Sequence, residues 1–169
     1  MRVADCCTQF PVSKRFGHPR RPDSGAPRAT AILLVESDAD NRELYAEYLR
    51  YSSAVVEAVD TTDAALPMAR FADVIVTELR VHGTFDGITL VKRLRALEES
   101  RHATIIVLTA CVFERDEQLA FAAGCDAFLR KPCEPEALVQ AINRLLMRRT
   151  PSATESLAFR PPALRANRS

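Results

Sequence analysis

The apolar positions of this chain gather into five short runs, at residues 32–35, 54–58, 73–79, 104–109 and 127–132. Runs this short and this rich in Val, Ile and Leu predict strands covered on both faces, as in a parallel sheet. After each run the apolar residues recur at helical spacing. Leu44, Tyr48 and Leu49 mark the inner face of a first helix, with Asp40 as its cap and Glu43 completing a capping box. Thr62 opens a second helix that contains Pro67 and is therefore expected to be short or kinked. Ile88, Val91 and Leu94 mark a third. A fourth ends at Gly124, a residue suited to a helix C-terminus. Pro135 sits in the first turn of a fifth, whose inner face is Leu138, Ile142 and Leu145.

Five strand–helix units predict an α/β fold: a doubly wound, five-stranded parallel sheet with helices on both faces. In such sheets ligands bind beyond the carboxyl ends of the strands. The residues that end the runs therefore matter most. They are Glu36 after the first, Glu78 at the third, Thr109 at the fourth and Lys131 at the fifth. Two carboxylates, a hydroxyl and an ammonium on one sheet edge suit the handling of a phosphoryl group.

Charge changes the picture at the ends of the chain. The net charge is +1, yet residues 1–30 carry six basic and two acidic side chains and residues 148–169 carry five and one. Each end is thus +4, which leaves −7 for the residues between. Both ends are proline-containing and lack apolar periodicity, so they are expected to be disordered tails around a domain at 31–147. Their basic charge suggests nucleic acid or an anionic surface as a partner, or the acidic body of the same chain. No helix-turn-helix, zinc finger or aromatic-studded basic face accompanies them, so solvated linkers are the favoured reading. No apolar run approaches a membrane span, and no apolar segment of a secretory signal follows the N-terminus. Five cysteines without paired spacing fit a reducing cytoplasm. Cys111 and Cys133 each follow a site residue by two positions, but their spacing matches no zinc pattern.

The segments "LLVES", "DVIVTEL", Asp86-Gly87, "VLTA" and "FLRKP", in this order, resemble the response-regulator receiver domain of two-component signalling, a flavodoxin-like fold. The resemblance covers residues 31–147. In that family an aspartate after the third strand accepts a phosphoryl group from a histidine kinase, and two acidic residues after the first strand help to hold Mg²⁺. A Ser or Thr and a Lys contact the phosphoryl oxygens, the Lys precedes a proline, usually through a cis bond, and an aromatic residue reports the switch.

Carried onto this chain, the resemblance implies phosphoryl contacts at Thr109 and Lys131, a cis-peptide candidate at Pro132 and the aromatic position at Phe128. Glu36 fits the first acidic position. Ser37 stands at the second, Glu78 at the phospho-acceptor, and His82 where a proline is usual. The loop from Glu78 to Gly87 is one residue longer than the commonest spacing.

These departures bear on function. One extra methylene moves a carboxylate by roughly 1.5 Å, and an offset of about 1 Å costs on the order of 100-fold in a reaction that depends on positioning. Ser37 offers Mg²⁺ only a neutral oxygen, so Glu36 and Glu78 are expected to bind the ion weakly at most. Three readings remain open. The favoured one is a phosphorylation-independent receiver in which Glu78 reaches Thr109 and Lys131 itself. The others are a scaffold with no fixed switch state and a working acceptor at Glu78. Too little chain follows residue 147 for an output domain, so the expected protein is a stand-alone, non-enzymatic receiver. It would dock through its fourth helix, fifth strand and fifth helix onto a histidine kinase, a phosphotransfer protein or an output protein.

Overall fold

The computed structural model describes residues 29–111 and 113–149. The expected tails, apart from their innermost residues, lie outside the described residues. Five strands alternate with helices: β1 (Ala31–Val35), α1 (Ala39–Tyr51), β2 (Val55–Val59), α2 (Thr62–Met68), β3 (Val74–Thr77), α3 (Gly87–Ala96), β4 (Thr104–Thr109), α4 (Glu114–Ala123), β5 (Ala127–Arg130) and α5 (Pro135–Arg149). The strands form one parallel sheet in the order β2-β1-β3-β4-β5. This is the doubly wound fold that the apolar pattern predicts. Chain order reverses between β1 and β3, so a crevice opens at their carboxyl ends.

Alternation along the strands sends side chains to two cores. Leu33, Val35, Ile75, Ile105 and Val107 pack with Leu90, Val91 and Leu94 of α3 and with Ala120 of α4. Ile32, Leu34, Val74, Val76, Ile106 and Leu108 pack on the other face with Tyr45 and Leu49 of α1 and Leu138 and Ile142 of α5. Strands buried on both faces need no polar side chains until their ends, which is why the polar residues collect at one edge.

Local chemistry explains the helix boundaries and corrects the expectation for α1. Its cap is Asp38, not Asp40: the Asp38 carboxylate accepts from the Asn41 backbone amide at 2.8 Å. The inward positions are Tyr45, Ala46 and Leu49, and Leu44 is exposed. Tyr45 can be buried because its hydroxyl donates to the Cys133 carbonyl at 2.8 Å. Helix α2 has only seven residues, and a 3₁₀ turn at Ala69–Phe71 follows Pro67, as a helix-interior proline dictates. Helix α4 ends at Gly124, in the left-handed region at φ 105°.

Candidate functional site

Glu78 directly follows β3 and remains in the ladder, its backbone amide donating to the Val35 carbonyl at 3.0 Å. Its side chain is buried. Oε1 accepts from the backbone amides of Leu79 at 2.7 Å and Arg80 at 3.3 Å, and from the hydroxyl of Thr109 in a short hydrogen bond. Oε2 faces the Lys131 ammonium at 3.0 Å. Thr109 in turn accepts from the Cys111 amide at 3.1 Å, so its hydroxyl is held from both sides.

Glu36 completes the cluster. Its Oε2 forms a short ion pair with Lys131, and its Oε1 accepts from the Asp38 amide at 3.1 Å. Lys131 thus lies between two buried carboxylates. Burial opposes its charge, but the hydrogen bonds and charges of Glu36 and Glu78 outweigh that effect and raise its pKa above the ordinary lysine value. All four carboxylate oxygens of Glu36 and Glu78 have partners, and no described buried side-chain polar atom lacks one.

The remaining expected residues fall into place around this centre. The Ser37 hydroxyl donates to the Asp60 carbonyl at 3.1 Å and accepts from the His82 amide at 2.7 Å, so it pins three loops together. Arg42 secures the same turn by donating to the carbonyls of Glu36 and Ser37. Phe128 is half-buried and packs on the α3–α4 side of the sheet. The Lys131–Pro132 peptide bond is cis. Cys111 and Cys133 are free thiols belonging to opposite cores, so the two do not form one site. The pocket above the cluster, of about 670 Å³, has Arg80, His82 and Phe113 on its rim as well. The sequence reading passed over Arg80, whose Nε donates to the Cys111 sulfur at 3.2 Å. Its place two residues after Glu78, on the same loop, was the available signal.

Comparison with known proteins decides the family. The model of the response regulator receiver domain matches residues 32–143. The chain belongs to the response regulator receiver family. The receiver is 31% identical over 131 residues to the transcriptional regulatory protein BaeR of Escherichia coli O6:H1, covering 76% of this chain and 52% of that protein. It is 30% identical over 129 residues to an uncharacterized 14.6 kDa protein of Leptolyngbya boryana, covering 72% of this chain and 94% of the other. The receiver spans about half the length of the transcriptional regulators it matches. Among solved structures it resembles the chemotaxis response regulator CheY4 of Vibrio cholerae at a TM-score of 0.65 and 25% identity, over 70% of this chain and 99% of that one. It also resembles the receiver domain of a sensor histidine kinase from Pseudomonas aeruginosa PAO1, at a TM-score of 0.61 and 28% identity over 72% and 97% of the two chains.

That last structure holds a magnesium ion in its cleft. The residues of the present receiver do not fit a resident Mg²⁺. The two carboxylates already share an ammonium, and each of their oxygens has a donor. Ser37 supplies no charge and spends its hydroxyl on Asp60 and His82. Asp38 spends one carboxylate oxygen on capping α1. Mg²⁺ would need several free, well-placed oxygens, and no cluster of three or more His, Cys, Asp or Glu suited to a metal exists among the described residues. No helix among them is long and apolar enough to cross a membrane.

Proposed function

We propose that this two-component receiver works without a phosphoryl group, because Glu78 itself makes the contacts to Thr109 and Lys131. The observation that carries this reading is the double engagement of the Glu78 carboxylate, with Oε1 on Thr109 and two backbone amides and Oε2 on Lys131. The longer side chain brings a charge of −1 to the place where a phosphoryl group would bring about −2. It therefore fixes the hydroxyl and the ammonium without chemistry. The same engagement disfavours Glu78 as an acceptor. A nucleophile must offer a free lone pair in line with phosphorus, and this carboxylate is buried and bonded on both oxygens.

The receiver then acts in the cytoplasm by docking and turns over no metabolite of its own. Its partner is a histidine kinase, a phosphotransfer protein or an output protein, held on the face of α4, β5 and α5. Support comes from the exposed apolar side chains Phe113, Leu119 and Phe121 at and along α4. Phe128, paired with Val107 two residues before Thr109 on β4, is the aromatic group that couples the site to this face. The test is recovery of the partner from cell extract with the wild type, Glu78→Asp and Glu78→Ala as baits. Residue 78 is a switch if Glu78→Ala loses the partner, and is not one if all three baits recover it equally.

A further inference from the structure

The outer surface of α1 carries a second feature, independent of what Glu78 does. Leu44 is 51% exposed and Tyr51 45%, and they lie seven residues apart on one side of the helix. Tyr48 lies between them, within electrostatic reach of Glu136 at the start of α5. Beside this apolar band runs an exposed acidic row, Asp40, Glu43 and Glu47. Arg50 does not offset it, because its guanidinium turns toward β2 and donates to the Val56 carbonyl. Helix α5 packs next to α1 on the same face, and the Tyr45–Cys133 hydrogen bond joins the middle of α1 to the residues just before α5. Both helices run back from the site edge, so α5 ends at Arg149 toward the same edge of the sheet as α1, with Met147 exposed on its last turn.

The chain that continues from this point has the complementary character. Residues 150–169 contain Leu157, Phe159 and Leu164 among Arg160, Arg165 and Arg168, with Glu155 as their only acid. We propose that this C-terminal segment folds back along α1. Its apolar residues cover Leu44 and Tyr51, and its arginines pair with Asp40, Glu43 and Glu47. Length permits it. Ten extended residues from Arg149 to Phe159 span up to about 35 Å, and the 13 residues of α1 span about 20 Å. The basic N-terminal segment also enters near the end of α1, where the Val55 amide donates to the Thr30 carbonyl at 2.9 Å, but its residues 17–29 hold no large apolar side chain to cover Leu44 and Tyr51. Docked in this way the segment is a strap over α1.

The chain reports on this contact by itself. It has no tryptophan, and its three tyrosines, Tyr45, Tyr48 and Tyr51, all lie on α1. Acrylamide quenching of tyrosine fluorescence is measured on the full chain, on a variant ending at Arg149, on one lacking residues 1–28, and on Arg160→Glu/Arg165→Glu/Arg168→Glu. The last three leave the described domain intact, which far-UV circular dichroism verifies. The full chain is expected to give a quenching constant roughly half that of the C-terminal truncation, because Tyr45 is shielded in both and the strap covers the outer tyrosines. The charge-reversed variant is expected to match the truncation, and the N-terminal deletion to match the full chain. Equal quenching in full and truncated chains overturns the proposal. So does protection that follows residues 1–28, or protection that grows with protein concentration and thus comes from a second copy.

Discussion

Glu78 and Thr109 are joined by a hydrogen bond that closes the ends of β3 and β4 against each other. Thr109 is buried and its hydroxyl also takes the Cys111 amide. Replacing it with the near-isosteric valine leaves a carboxylate short of one donor and a backbone amide without its acceptor. Hydrogen bonds to charged groups are worth about 1.5–3 kcal/mol. We therefore expect Thr109→Val to lose about 2 kcal/mol of stability in urea unfolding, at unchanged slope. A loss below about 0.5 kcal/mol would mean that the carboxylate does not depend on this hydroxyl.

Lys131 carries more, because it neutralises two buried carboxylates at once. Removing one partner of a buried ion pair typically costs about 3–5 kcal/mol, and Lys131→Met is expected to fall in that range near neutral pH. The pH dependence follows from the raised pKa of the ammonium. Burial opposes the raise, and the hydrogen bonds to Glu36 and Glu78 drive it. A pKa higher in the folded than in the unfolded chain gives stability that is fully present below the ordinary value of 10.5 and lost as pH rises through the folded value. Unfolding of wild type and Lys131→Met should therefore converge only in strongly alkaline solution. A difference that closes below about pH 9 would contradict the assignment.

Gly87 allows the lengthened loop to return onto Glu78. Its amide donates to the Leu79 carbonyl at 2.9 Å, and a Cβ at this position would lie 2.2 Å from the Glu78 carbonyl oxygen and 2.8 Å from the Leu79 Cα. Both atoms are backbone and cannot turn aside. Gly87→Ala is expected to cost at least about 2 kcal/mol, in the range of overpacking, with the Glu78 backbone displaced. Retained thermal stability would show that the loop has slack.

The sheet and its polar edge were legible in the sequence because strands buried on both faces leave little freedom in the pattern. The run at 104–109 coincides with β4, and the other strands shift by one or a few residues. Helix α1 was read less well. Asp38 and Asp40 are both good caps, and only the turn geometry after Glu36 selects the earlier one. Starting the helix there places Tyr45 inward and Leu44 outward, and a pattern of apolar letters cannot tell a buried tyrosine with a carbonyl partner from an exposed leucine. At the site, an ammonium expected near two carboxylates made an ion pair at Lys131 a plausible reading of the sequence, although the resemblance implies a metal ligand at Glu36. Ser37 likewise looks like a lost ligand in the sequence, whereas in the fold it ties Asp60 to His82.

Metal binding separates these roles. With Glu36 held by Lys131 and Ser37 by two loops, the wild type should show no saturable Mg²⁺ binding at millimolar concentrations. Ser37→Asp/Glu78→Asp adds a charge and frees space near Lys131, and should bind at least about tenfold more tightly, as expected when oxygen ligands are placed for the ion. Equal titration curves would defeat this reading of the site.

Phosphorylation is the most direct test of the account. The wild type and Glu78→Gln are incubated with acetyl phosphate and Mg²⁺, and their intact masses are measured at once under acid quench. Unmodified mass is expected for both. A phosphoryl adduct on the wild type that is absent from Glu78→Gln would contradict it.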